Sequence, residues 1–248
     1  MVLLILCILV SSMAVRRGAK LVTRYSTLFV AVAYIILFLS IALVLNIADM
    51  ENFLPMFEHP LKRYIQGTHI IATIPFGEVV IFLMLHPCVK MTRKEATKYL
   101  FIGFGLGAFT LLSVLMRDIA VLDNTLALFT LPNLITLQLV NFGMAISRVE
   151  VLFMVVLVML LFFKITMLYY VTVMSIAQLF QVKTLRHLVL AVGTLMVAYG
   201  LTLYPCPVEH AASAQEITPI LWSVFEIIIP LVTFLVAVIR KMPRTQEA

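Results

Sequence analysis

Apolar runs of helical length recur along the whole chain, at residues 2–15, 25–47, 68–89, 99–122, 151–180, 188–204 and 217–239, with short polar or charged stretches between them. About 20 such residues cross a hydrocarbon layer roughly 30 Å thick as a helix, the one form in which an isolated segment satisfies its own backbone there. The sequence therefore predicts an all-α, polytopic membrane bundle, read as one transmembrane domain over residues 1–248. Composition agrees: 63% of residues are hydrophobic and 12% charged, against about 25% charged in soluble domains. The first run, residues 2–15, is short for a crossing, because 14 residues reach only about 21 Å. It reads as a helix without its beginning. Ser12-Met13-Ala14 has the small-x-small form of a signal-peptide cleavage site, but no basic residue precedes the run, which favours a retained helix.

The net charge of +6 is not a nucleic-acid signature, since the basic residues sit in short clusters between apolar runs. Arg16, Arg17, Lys20 and Arg24 form one cluster, and Lys90, Arg93, Lys94 and Lys98 a second. Lys183 with Arg186, and Arg240 with Lys241 and Arg244, complete the set, so alternate loops hold 13 of the 18 basic residues. By the positive-inside rule these loops are cytoplasmic, which places the N-terminus outside and the C-terminus in the cytoplasm. The stretch 48–67, with Asp49, Glu51 and Glu58, is then external. Residues 123–148, interrupted by Pro132, Asn133, Asn141 and Gly143, read as an external hairpin on the bundle. Cys7, Cys88 and Cys206 share no metal-type spacing, and neither a disulfide nor a metal site is read from them.

Inside the third run, Thr73-Ile74-Pro75-Phe76-Gly77-Glu78 sets a helix breaker, a flexible residue and a carboxylate at membrane depth. Proline removes a donor and glycine loosens the helix, so nearby backbone groups need partners that lipid does not offer. Broken helices of this kind form substrate sites in many transporters, with freed N–H groups at the start of the second half. A proline kink with a structurally satisfied glutamate is the plainer reading, and spacing alone weighs the two equally.

Other polar residues fall in or beside the runs. Lys164 is central in its run, where an ammonium needs a partner or water; a fixed positive charge near the break, with Glu78 as its counter-charge, is weighed against snorkelling or a structural pair. Arg148 and Glu150 stand at the outer mouth of the same run as an ion pair that orients the helix end. Glu226 precedes Pro230 by four residues, so the proline removes the donor that its own carbonyl would meet, and a kink beside an ionic or proton-binding carboxylate is expected. Gly103 and Gly107 read as a helix-packing pair rather than a nucleotide loop. The five histidines are scattered and no nucleophile, base and oxyanion donor share a readable spacing, so an enzyme is not expected, and neither is a cofactor.

The stretches Ala14-Val15-Arg16-Arg17-Gly18, Pro75-Phe76-Gly77-Glu78, Arg148-Val149-Glu150, Phe163-Lys164-Ile165, Ala177-Gln178-Leu179-Phe180 and Arg186-His187-Leu188-Val189, in this order and spacing, resemble the spore germination permeases, the membrane-embedded B subunits of germinant receptors. That family is similar to the amino acid/polyamine/organocation transporters. The resemblance implies a partial leucine-transporter-like fold in which the seven spans are family helices four to ten, the first three being absent, and the broken span is helix six. It implies a germinant pocket lined by Thr73, Pro75, Phe76, Gly77 and Glu78, with Lys164 as a covalent stand-in for a sodium ion. It further implies a receptor subunit that senses a small nutrient such as an amino acid in the spore inner membrane, with a larger membrane subunit and a lipoprotein as partners. A proton-coupled amino acid transporter, using Glu78 or Lys164 for the proton, and a truncated, non-functional fragment are the alternatives.

Overall fold

The computed structural model describes residues 2–55, 57–89, 91–139, 149–182, 184–204 and 206–240. Among these residues there is no strand, as expected. The α-helices are, in chain order, α1 (Val2–Arg17), α2 (Ala19–Val44), α3 (Leu61–Thr73), α4 (Phe82–Leu85), α5 (Arg93–Leu122), α6 (Pro132–Gln138), α7 (Val149–Leu179), α8 (Leu185–Thr202), α9 (Pro207–Glu216), α10 (Thr218–Ser223) and α11 (Ile229–Ile239). Six helical stretches among the described residues have the length and apolar character to cross a membrane: Lys20–Val44, Leu61–Leu85, Lys94–Leu128, Glu150–Leu179, Leu185–Thr202 and Thr218–Ile239. The chain is an integral membrane protein. Helix α1, with 16 residues, rises about 24 Å and falls below that length.

The chain divides into two compact units, Met1–Met56 with Gly107–Leu203, and Phe57–Leu106 with Tyr204 onward. In the first, α1 packs on α7 and α8, and α2 runs along α7. Lipid supplies no hydrophobic force between helices, so close packing and internal polar contacts must hold them together. The core meets both needs. Ile8 and Val15 of α1 interlock with Tyr169 and Val173 of α7 and with Val189 and Val192 of α8. Ser11 and Thr166 are fully buried beside them with hydroxyl oxygens 3.1 Å apart. The Tyr169 hydroxyl, also fully buried, donates to the Val189 carbonyl and ties α7 to α8. Gly18 is the one residue between α1 and α2 and has φ of 90°, a conformation that L side chains rarely adopt. At the far end of α5 the Ala120 carbonyl accepts from the Asp49 N–H and from Asn52 Nδ2, both at 2.9 Å. These bonds satisfy a helix-end acceptor that would otherwise lack a partner.

The second unit contains α3, α4, the start of α5, and α9 to α11. Thr92 and Glu95 form a reciprocal cap at the start of α5: the Thr92 N–H and hydroxyl donate to Glu95 Oε2 at 3.1 and 2.9 Å, and the Glu95 N–H donates back to Thr92 Oγ1 at 3.4 Å. No added Cβ would meet another atom within 4 Å at Gly103, Gly105 or Gly107. The face that small residues were expected to use for helix packing thus packs against nothing among the described residues. Tyr169→Phe should lower the unfolding free energy in detergent by about 1 kcal/mol, the net value of one buried hydrogen bond. Tyr199→Phe, at an exposed position, should change it by less than about 0.5 kcal/mol in the same denaturation assay.

Candidate functional site

Two irregular stretches of the second unit meet at Gly77. The first begins where α3 ends. The Ile74 N–H still bonds to the Ile70 carbonyl at 2.9 Å, but Pro75 has no N–H to continue the ladder, and Ile74 to Phe76 form a turn. Beyond it the chain does not resume as a regular half-helix: Gly77–Ile81 is a 3-10 segment, α4 follows for four residues, and His86–Cys88 is 3-10 again. The β-branched run Val79-Val80-Ile81 resists the α form, and Pro87 breaks the ladder a second time. The segment from Gly77 to His86 therefore lies between two prolines.

The second stretch is a π turn, Val224–Ile228, between α10 and α11. Pro230 cannot donate to the Glu226 carbonyl, so the regular i→i+4 ladder is lost there, and the helix widens. The wider turn carries the Glu226 side chain onto Gly77. A Cβ built on Gly77 would overlap Glu226 Oε2, lie 2.7 Å from its Cδ and 3.3 Å from its Cβ. No side chain fits there without displacing the carboxylate, whose Oε2 is removed from solvent. A hydrogen bond of 2.7 Å between His69 Nε2 and Ser223 Oγ fastens α3 to α10 on the turn before Glu226. The Ser223 hydroxyl donates its own proton to the Pro219 carbonyl at 2.6 Å, which makes His69 the donor and places its proton on Nε2.

Of the residues singled out in the sequence, Gly77 and Glu226 are thus brought into contact. Thr73 is fully buried, and its hydroxyl is spent within α3 on the His69 carbonyl at 2.8 Å and the Ile70 carbonyl at 3.2 Å. Phe76 is half-buried, with its ring 4.6 Å from that of Phe104. Pro75 is exposed and Glu78 half-buried in the 3-10 turn. Lys164 belongs to the first unit, exposed at the middle of α7 beside Phe163, whose ring lies 5.3 Å from that of Phe29. Glu150 is half-buried in the first turn of α7. Arg148 lies outside the described residues, as does the ion pair expected of it.

Two sets of polar residues were not read from the sequence. His69 and Ser223 carry no local motif, and only the fold joins them. Arg117 and Asp118 are a different case: two opposite charges inside the apolar run 99–122 were visible. They form a buried ion pair in the first unit, with Arg117 Nη2 2.7 Å from Asp118 Oδ1.

The family profile described as spore germination protein matches residues 1–204 of the chain. The matched range includes the break and Lys164, and Glu226 lies beyond it. The chain is also similar to the spore germination protein KB of Bacillus subtilis (strain 168), with 27% identity over 247 residues, covering 98% of this chain and 66% of that protein. It thus spans just under two thirds of that relative's length. No solved structure matches it.

The contact at Gly77 makes a double-mutant test direct. Gly77→Ala should destabilise the chain in thermal unfolding in detergent, because the methyl group must push the carboxylate aside. In Glu226→Ala the same change should cost less, with a coupling of about 1–3 kcal/mol between the two positions.

Proposed function

The chain belongs to the spore germination protein family, and from that premise we propose that it is a membrane subunit of a spore germinant receptor, sensing a small nutrient such as an amino acid at the Pro75 break. The observation that carries this reading is the Glu226 carboxylate held against Gly77 between a proline break and a π turn. Irregular backbone at membrane depth is costly unless protein, water or a ligand satisfies it, and carboxylates at that depth serve function by default. A zwitterionic nutrient suits such a place. Its ammonium group complements a carboxylate of Glu226 or Glu78, and its own carboxylate complements amides released by Pro75. Thr73, Pro75 and Phe76 give the pocket its wall. Lys164, within the first unit, supplies fixed positive charge there in place of a coupling cation.

The signal is a population shift. A ligand that binds one arrangement of the break better than the other moves the equilibrium by its difference in affinity. Its output passes to partner subunits, a larger membrane protein and a lipoprotein, in the inner membrane of the spore, with the basic C-terminus on the cytoplasmic side. The role is non-enzymatic. The same buried carboxylate also favours a second reading, a proton-coupled amino acid transporter. Net uptake into proteoliposomes separates the two, because a receptor subunit binds without accumulating the nutrient.

Saturable binding of radiolabelled amino acids to the purified chain in lipid nanodiscs is the expected result. Gly77→Leu should weaken it at least about tenfold, the effect of losing roughly 1.4 kcal/mol. Gly105→Leu, where an added Cβ meets open space, should leave it unchanged. The absence of saturable binding across the amino acids, or binding that Gly77→Leu leaves intact, contradicts the proposal.

A further inference from the structure

The buried pair in the first unit joins four helices. Arg117 Nε and Nη2 donate to Asp118 Oδ1 at 3.0 and 2.7 Å. Arg117 Nη1 donates to Ser40 Oγ of α2 at 2.8 Å, and Nη2 also reaches Asn133 Oδ1 of α6 at 3.1 Å. The guanidinium lies 5.9 Å from the centre of the Phe153 ring of α7. Ser40 gives its proton to the Leu37 carbonyl at 2.7 Å, which leaves its oxygen to accept from arginine. The two charged side chains are 2% and 3% exposed.

Adjacent residues on a helix point about 100° apart and do not face each other, so this pair is not a device for stiffening α5. The guanidinium instead reaches across to α6. Asn133 accepts from Arg117, while the Thr136 hydroxyl, one turn later and fully buried, donates within α6 to the Pro132 carbonyl at 3.1 Å. Helix α6 has seven residues, too few to stand without tertiary contacts. Among the described residues its other support is apolar, with Leu137 1% exposed.

A buried ion pair is a poor choice for stability alone, since apolar residues of similar volume often hold a fold as well or better. It differs from an apolar seal in the free energy of its open state. Two charges regain hydration on meeting water, which brings the open and closed states closer in free energy. We propose that Arg117 and Asp118 form a reversible clamp on α6, closed in this structure, whose opening frees α6 from α2, α5 and α7 while those helices stay in place. This proposal stands apart from the ligand reading at Gly77.

Hydrogen exchange of the full chain in nanodiscs, followed by mass spectrometry, tests it. In the unmutated chain, residues 131–139 should exchange through an opening of their own, faster than α7 and α8; exchange in step with those helices overturns the clamp without any variant. Asp118→Asn, which keeps the shape and removes one charge, should speed exchange of 131–139 at least about tenfold and leave residues 185–202 unchanged. The apolar double variant Arg117→Met with Asp118→Leu should slow exchange of 131–139 below that of the unmutated chain, because its open state gains no ion hydration. A double variant that exchanges α6 as fast as Asp118→Asn does, or an Asp118→Asn chain with unaltered α6, overturns the proposal.

Discussion

A peptide group in a hydrocarbon layer has no water to turn to, and the rest of this structure depends on that constraint. Long helices α2, α5, α7 and α8 meet it with their own ladders, and hydroxyl side chains such as those of Thr166 and Thr194 return their protons to the preceding turn, at 2.7 and 3.0 Å. Prolines are the exceptions. Pro75, Pro87 and Pro230 each remove a donor, and the chain responds differently at each: a turn, a 3-10 turn and a π turn. Gly77, in the segment between the first two, packs against the third. Glycine leaves the backbone open to the carboxylate that lies against it, and a widened turn is what brings the carboxylate there.

Charge placement obeys the same logic at a higher cost. An isolated ion in an apolar interior is prohibitive, so buried ions come with partners and shaped surroundings. Arg117 shows this fully: four hydrogen bonds and an aromatic face surround a guanidinium that solvent hardly reaches. Both buried loci tie together segments that would otherwise have little to hold them, a seven-residue helix in one unit and a run of 3-10 turns in the other. Weakly held elements of this kind are where local opening concentrates.

Much of this was legible in the residues. Run length and composition specified an all-α membrane protein, because the bilayer admits so few alternatives. Pro75 announced its break and Pro230 its irregular turn, since a missing donor is a local fact. What local facts do not contain is which turn faces which. Gly77 and Glu226 are about 150 residues apart, and their contact depends on how α3 and α10 pack, through a His69–Ser223 bond without a sequence motif. Arg117 and Asp118 failed to register for another reason: a lone charge such as Lys164 draws attention in an apolar run, whereas adjacent opposite charges near a helix end pass for a solvated terminus. Gly103 and Gly107 show the converse, a packing pattern with no partner among the described residues.

The central claim is that a carboxylate rests on the backbone of the broken helix. Solid-state NMR of the chain in lipid bilayers, with 13C at the glycine Cα and glutamate Cδ positions, reads that contact without perturbing it. A through-space cross-peak between Gly77 Cα and Glu226 Cδ that disappears in Glu226→Gln with unlabelled glutamine is the expected result. Absence of that cross-peak in the unmutated chain, with the helical Cα signal of Gly67 in α3 intact, would contradict the account.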